Sequence, residues 1–193
     1  MFGEKIKRVE DPALLRGKGR YLDDIHLPEM LHASFVRAPV AHARIAGIDV
    51  AAALATDGVI AIYALDDLRP HLTDTVMPVG QPSGALKLSA SPSALADGEV
   101  RYVGEPVACV IAKTPYIAED AARLVEVSSD PLPVSSDYLA ALEDGAATAH
   151  SEFDNNIVAG FTLAYGDADS AFDDAAHCFR ETLHQHKGLG HAI

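Results

Sequence analysis

The sequence predicts an α/β fold in which two strand–helix–strand halves build a mixed sheet. Three observations support this class: stretches of period-two alternation, helix-capping residues beside them, and an apolar fraction of 49% in 193 residues, which is enough to form a core. Aromatic residues make up only 6% and Trp is absent, so Ala, Val, Leu and Ile must fill that core. Such small side chains favour helices that lie close to a sheet.

The first half is predicted from alternation and from turn residues. Pro12 suits the first turn of a helix and Gly17 suits its exit, while Asp49 can cap a second helix. In order, the predicted elements are a short helix at 11–17, strands at 30–38 and 43–50, a helix at 49–58 and a strand at 59–65.

A long connection separates the two halves. Residues 69–97 are rich in Pro, Ser and Gly and show no sustained period, which predicts only short structured pieces. The stretch "GEPVACVIA" then supplies an apolar run at 107–112 that is typical of a strand covered on both faces. Thr114 can cap the helix that follows, with Pro115 in its first turn, and "VEVSSDPLPV" predicts the closing strand.

Residues 135–193 are predicted to be a connector and the truncated start of a further region, which leaves 1–134 as the domain. The predicted elements of this second part are a short helix at 137–145, a strand at 157–166, a helix at 167–177 and a strand at 178–185.

Composition excludes several classes of function. Lys and Arg number 15 against 28 Asp and Glu, a formal charge of −13, so phosphate backbones and anionic lipid surfaces are repelled. We therefore expect neither a nucleic-acid nor a membrane partner. Because the N-terminus lacks an apolar export segment and no stretch approaches a membrane span, we expect a cytoplasmic protein. Two distant cysteines indicate reduced thiols.

A histidine group near the C-terminus is the first candidate site. His184 and His186 would share one face of a strand, with His191 close by, which is compatible with a metal site. No carboxylate or Cys has a matching spacing, so we do not assign a metal there. The stretch "RGKGRYL" contains G-x-G but lacks the third glycine and follows a helix, so it does not match a dinucleotide-binding loop.

Three single residues also have simpler structural interpretations. Ser83 in "GQPSG" is better explained by a turn than by a nucleophile elbow. Cys109 lies among apolar residues, which would raise the pKa of its thiol and make it inert. Glu105 precedes the apolar strand and is expected to be a solvated charge at a strand end. We therefore assign no catalytic, cofactor-binding or metal-binding residue to this chain.

The order of several motifs closely resembles the N-terminal part of the large subunit of molybdenum hydroxylases, the family of xanthine dehydrogenase, aldehyde oxidase and aerobic carbon monoxide dehydrogenase. The motifs run from "RVEDPALLRGKGRYLDD" through "VRYVGEPVACVIAKTPYIAEDAARLVEV" and "PLP" to "GDADSAFDDAAH". The resemblance implies that this region is the α/β hammerhead domain. It also implies that the parent assembly contains molybdopterin, [2Fe-2S] clusters and FAD, and oxidises an aldehyde, a heteroaromatic ring or carbon monoxide.

The resemblance places the catalytic glutamate and the cofactor segments of the family downstream of this chain. We therefore expect the chain to bind no cofactor and to be inactive alone, with the remaining molybdenum-binding region and the iron–sulfur and FAD subunits as its partners. The alternative is a free-standing hammerhead module that binds a small ligand or a partner without redox chemistry.

Overall fold

The computed structural model describes residues 3, 7–77, 84–87 and 90–184, and all structural statements concern these residues. Within them, six strands form two antiparallel three-stranded sheets, sheet 1 in the order β1–β5–β3 and sheet 2 in the order β4–β2–β6. The strands are β1 (His32–Arg37), β2 (Ala43–Asp49), β3 (Val59–Ala64), β4 (Glu99–Val100), β5 (Pro106–Ala112) and β6 (Glu126–Pro131).

Five α-helices accompany the strands in the described residues, and most are a single turn. They are α1 (Asp11–Leu14), α2 (Ala51–Leu54), α3 (Leu65–Leu68), α4 (Pro115–Ala122) and α5 (Ala168–Asp173), with 3₁₀ turns at Leu22–Asp24, Arg69–His71 and Ala140–Leu142. No helix in this part of the chain is both long and apolar enough to cross a bilayer.

The predicted α/β class and its two halves are confirmed, but the halves interleave. The central strand of sheet 1, β5, comes from the second half and pairs with β1 and β3 of the first half. The closing strand of the second half, β6, pairs instead with β2. Because all these pairs are antiparallel, the described strands form two antiparallel sheets in place of the expected single mixed sheet.

The helices α2 and α4 cover one face of sheet 1. Thr114 caps α4 as predicted, because its hydroxyl accepts a hydrogen bond from the backbone N–H of Ile117 at 3.2 Å. Asp49 accepts one from the N–H of Ala51 at 2.9 Å, just ahead of α2. The core between these helices and the sheet consists of small residues, namely Val36, Ala53, Ala108, Val110, Ala121 and Val125.

The other face of sheet 1 is only partly covered. Val107, at the start of β5, packs into a second core with Ala38, Ala96 and Val100. Further along the same face of β5, Cys109 and Ile111 are only half-buried. The prediction that this strand is covered on both faces is therefore wrong for these two positions in the described structure, although the apolar run itself does form the central strand.

Two predicted strands after residue 156 are wrong. Residues 157–166 form no strand, and their one ladder contact is an isolated bridge between Ala159 and Leu86. Residues 178–184 are also irregular, and the last residue of that predicted strand lies outside the described residues. Alternation alone does not form a strand, because the backbone groups need a partner strand. The helix predicted at 137–145 is a 3₁₀ turn at Ala140–Leu142.

We predict that neighbouring residues of β5 differ sharply in their tolerance to charge. Val110 is fully buried under the helices, so Val110→Asp should cost several kcal/mol, comparable to the roughly 5–15 kcal/mol that stabilises a whole domain, and should prevent folding. Ile111 lies on the partly open face, so Ile111→Asp should cost about 1–2 kcal/mol. Urea unfolding followed by circular dichroism measures both, and equal losses would contradict the assignment of the two faces.

Candidate functional site

A polar cluster with a buried centre joins sheet 2 to the segment that follows β6. We call it the junction cluster; its members are His42, Glu99, Arg101, His150, Ser151 and Glu152. Glu99 lies in β4 and is held there because its neighbour Val100 is buried in the second core. Neighbouring residues of a strand point to opposite sides, so Glu99 directs its carboxylate away from that core, toward the other members of the junction cluster.

Glu99 is the centre of the cluster. The residue is only 9% exposed, and its Oε1 atom lies 2.9 Å from Nε2 of His42. The same oxygen accepts a hydrogen bond from the backbone N–H of Ser151 at 3.1 Å. These two partners are 57 and 52 residues away in the sequence, so the carboxylate connects three distant segments.

His42 bridges two acceptors. Its Nδ1 atom lies 2.6 Å from the carbonyl oxygen of Pro133, and its Nε2 atom faces the carboxylate of Glu99. A carbonyl oxygen only accepts, and so does an ionised carboxylate, so both contacts are hydrogen bonds when both ring nitrogens carry protons. His42 thus links the carboxylate of Glu99 to the backbone at Pro133, and the side chains of His42 and Glu99 are both largely buried.

Arg101 adds a second positive charge. Its Nε atom lies 3.8 Å from the carboxylate of Glu99, and a terminal nitrogen lies 3.9 Å from that of Glu152. Arg101 Nε and His150 Nδ1 are buried and make no hydrogen bond within the described protein atoms. Both residues line a pocket of about 380 Å³, which is roomy enough for water molecules to reach these groups.

The cluster favours the charged form of Glu99. Burial alone would raise the pKa of this carboxyl, but the hydrogen bonds from Ser151 and His42 and the charge of Arg101 outweigh it and hold the pKa below its ordinary value. Burial and the charge of Arg101 lower the pKa of His150, whose ring stacks on Phe153 with centroids 5.0 Å apart. His150 is therefore kept neutral near neutral pH.

The arrangement fastens the chain and contains no reactive set. Ser151 contributes its backbone N–H, not its hydroxyl, to Glu99, so this contact does not activate a nucleophile. The chemistry available is that of an anchor, in which the buried contact between His42 and Glu99 fixes residues 133 and 151 against β2 and β4. The described residues also contain no group of three or more His, Cys, Asp or Glu side chains that could hold a metal ion.

The residues considered from the sequence lie elsewhere. Glu105 is not the expected solvated charge, because it is only 6% exposed and its carboxylate accepts a hydrogen bond from the backbone N–H of Arg101. Burial raises the pKa of the Cys109 thiol, as expected. His184 is exposed, with its Nδ1 atom 3.5 Å from the hydroxyl of Tyr138. Ser83, His186 and His191 lie outside the described residues.

Sequence reasoning did not find the junction cluster. Strand β4 has two residues, which is too short to show a period, and His42 lies just ahead of β2 without any flanking motif. The only local signal is a charged residue on each side of the apolar Val100 in "EVR". That signal indicates a short alternating strand but does not identify a partner.

The family model that describes the α/β hammerhead domain of aldehyde oxidase and xanthine dehydrogenase matches residues 16–133. The chain belongs to this family. The match includes all six strands and ends at Pro133, whose carbonyl contacts His42. The resemblance drawn from the sequence is thereby confirmed, as is the hammerhead fold class.

Individual relatives agree with this family. The carbon monoxide dehydrogenase large chain of Afipia carboxidovorans is 45% identical over 75% of this chain and 17% of its own length. The nicotine 6-hydroxylase large subunit of Paenarthrobacter nicotinovorans is 35% identical over 95% of this chain and 22% of its own. The crystal structure of quinoline 2-oxidoreductase from Pseudomonas putida 86 superposes with a TM-score of 0.73 at 36% identity, over 91% of this chain and 22% of that one.

The chain therefore spans about a fifth of the length of these relatives. Iron–sulfur clusters are held by four cysteines, or by two cysteines with two histidines. The two cysteines of this chain lie 69 positions apart in sequence, one on β5 and one after α5. The residues of this chain therefore do not fit an iron–sulfur cluster. Cys109 is half-buried in sheet 1, and Cys178 is exposed.

We predict that the junction cluster makes the stability of the fold depend on pH. Because folding lowers the pKa of Glu99, its contribution is complete above the unfolded value of about 4.5 and is lost as the pH falls below it. Glu99→Gln should cost about 1–3 kcal/mol at pH 7, since it leaves buried partners unpaired, and should remove this part of the acid dependence.

The matched control is Glu152→Gln, which removes a carboxylate that is 62% exposed and should change stability by less than about 0.5 kcal/mol. Urea unfolding at pH 7 and at pH 4 measures both variants. If Glu99→Gln were no more destabilising than Glu152→Gln at pH 7, the carboxylate of Glu99 would not anchor the segment.

Proposed function

We propose that this chain is the N-terminal scaffold portion of the large subunit of a molybdopterin-dependent oxidoreductase and is inactive alone. In this proposal, 1–134 is the hammerhead domain and 135–193 is the connector and the start of the molybdenum-binding region. The remaining large-subunit region and the iron–sulfur and FAD subunits are its partners, in the cytoplasm. The support is family membership together with coverage of only about a fifth of the relatives' length.

The exposure of residues 157–184 supports the proposal that this segment packs against a partner. Every residue in this segment is exposed, including the short helix α5, which has no buried residue. Large apolar side chains are normally the first to be buried, but here many lie in solvent. They are Phe161, Leu163, Tyr165, Phe172, Phe179 and Leu183, with exposed fractions from 65% to 92%.

The names of the relatives support a reaction class that includes several kinds of substrate. Their names include carbon monoxide, nicotine and quinoline as substrates, which agrees with oxidation of carbon monoxide, an aldehyde or a heteroaromatic ring. Molybdopterin would supply the oxidation chemistry when bound in the assembly. The part that this chain plays is to fold, to fix the connector through the junction cluster and to present surfaces on which the rest of the subunit packs.

We predict that activity requires the complete assembly. The chain should be produced alone and together with the remaining large-subunit region and the iron–sulfur and FAD subunits. Molybdenum analysis and dye reduction with carbon monoxide, aldehydes, nicotine and quinoline measure the outcome. We expect molybdenum and turnover in the assembly only, because the proposal places the cofactor-binding segments in the remaining subunit regions. Turnover by the chain alone, or an active assembly that lacks the chain, would refute the proposal.

We predict further that proteases cleave residues 157–184 before any strand. In the described chain, Asn156 is the last residue that is not exposed, and its amide nitrogen donates to the carbonyl oxygens of Ala141 and Ala147 at 3.1 and 2.9 Å. Beyond it no side chain is buried, so local opening costs little. Limited trypsin digestion with mass spectrometry should show early cleavage at Arg180, with Arg44 in β2 as the protected control.

Equal protection of Arg180 and Arg44 from trypsin in the chain alone would mean that residues 157–184 resist cleavage without a partner. That result would favour the alternative, a free-standing binding module.

A further inference from the structure

One face of sheet 1 carries an apolar surface that the described chain leaves open. The register places Phe35 and Tyr63 on either side of Cys109, and Ala33 and Ala61 on either side of Ile111. Directly paired residues point to the same side of a sheet, so these six side chains share one face, which we call the outer face. Phe35 is 45% exposed and Tyr63 is 39% exposed.

The outer face lacks the polarity of a solvated sheet face. An antiparallel sheet with one face in water normally alternates apolar and polar residues, so that its open face is polar. Here β5 is apolar on both sides, with Val110 and Ala112 under the helices and Cys109 and Ile111 on the outer face. A charged residue, Arg37, lies beside the patch at the end of β1.

The rim of the outer face is held in place by Arg37. Its guanidinium carbon lies 5.7 Å from the centre of the Phe35 ring, and a terminal nitrogen donates to the carbonyl oxygen of Gly104 at 2.9 Å. The surface therefore has an apolar centre with a fixed positive charge at one edge, the usual arrangement of a protein–protein contact. A complementary surface would present aliphatic or aromatic side chains, with an acidic or carbonyl group opposite Arg37.

The area of the outer face distinguishes between two occupants, a second copy of the chain and a segment of the remaining subunit region. Three strands spaced about 4.8 Å apart, over about five residues of 3.3 Å each, give a patch of roughly 250 Å². A stable dimer between separate molecules buries about 800 Å² on each partner, so this patch is too small to hold a second copy by itself. A segment of the remaining subunit region needs far less area, because the same region also covers the exposed residues 157–184, and that contact supplies a high effective concentration.

We infer that the outer face of sheet 1 docks an apolar segment from the remaining region of the large subunit. This inference rests on the proposed function, and it names the surface that the remaining subunit covers. About four fifths of the length of the relatives lies outside the matched region, which provides ample chain for the contact.

Cys109 reports directly on the contact, because it is half-buried at the centre of the outer face. In a Cys178→Ser background, Cys109 is the sole thiol of this chain. Mass spectrometry of the labelled peptide distinguishes it from the thiols of the other subunits in the assembly. Because the raised pKa of this thiol slows its reaction near neutral pH, iodoacetamide labelling is done at alkaline pH and is compared between the free chain and the assembly with the remaining large-subunit region. We expect labelling in the assembly to be slower by at least about tenfold, since it then requires local opening of the contact. Equal rates would overturn the inference.

A pair of tyrosine variants gives an independent test. Tyr63→Asp places a charge on the outer face, whereas Tyr116→Asp places one on α4, where Tyr116 is 79% exposed and faces away from the sheet. We expect Tyr63→Asp to weaken binding to the separately produced remaining region by at least about tenfold and Tyr116→Asp to leave it within about twofold. Unfolding curves of both variants show whether each is folded.

The outcomes separate this inference from the proposed function. If the unaltered chain binds the remaining region and supports turnover, but Tyr63→Asp binds equally well and Cys109 stays reactive, then only the docking surface is wrong. If the unaltered chain does not bind the remaining region at all, the proposed function fails and the inference fails with it. Slower labelling of Cys109 together with selective loss of binding in Tyr63→Asp supports both.

Discussion

Close contact between small side chains holds the two layers of this fold together. Ala53 on α2, Ala121 on α4 and Ala108 on β5 are all fully buried where the helices meet sheet 1. Alanine lets a helix approach a sheet closely, so that even the single turn of α2 makes contacts with β3 and α4. A larger side chain at any of these positions would separate the layers, because an interior packed this tightly has no room for added methylene groups.

The position of the junction cluster depends on the same packing. Val107 at the start of β5 packs against Val100 of β4, which ties sheet 2 to sheet 1. With Val100 fixed, Glu99 must face the opposite side, where His42 from the start of sheet 2 meets it. The segment after β6 is then added by polar contacts, through the carbonyl of Pro133 and the N–H of Ser151. Apolar packing thus places the strands, and the buried charges select where the connector attaches.

The sequence predicted the parts of the fold that depend on local pattern. Alternation located β1, β-branched residues located β3, the apolar run located β5, and Thr114 with Pro115 located the start of α4. It did not reveal the pairing of β6 with β2 or the contact between Glu99 and His42, because these depend on segments far apart in the chain. The alternation at 178–184 failed for a related reason: the pattern describes a side-chain preference, but a strand exists only where another strand completes its hydrogen bonds.

The distribution of large apolar residues connects the fold with the proposed role. The largest side chains that are completely buried in the described chain are valines, Val100, Val107 and Val110. Many aromatic side chains are instead exposed, among them Phe35 and Tyr63 on the outer face and Phe161, Tyr165, Phe172 and Phe179 in residues 157–184. Burial of an aromatic side chain stabilises a protein more than burial of valine, since it removes more apolar area from water. A domain that folds for itself would place its largest apolar residues inside. This chain places them on surfaces, where they can contribute to stability only when further protein covers them, and that arrangement suits a scaffold that completes its core within a larger subunit.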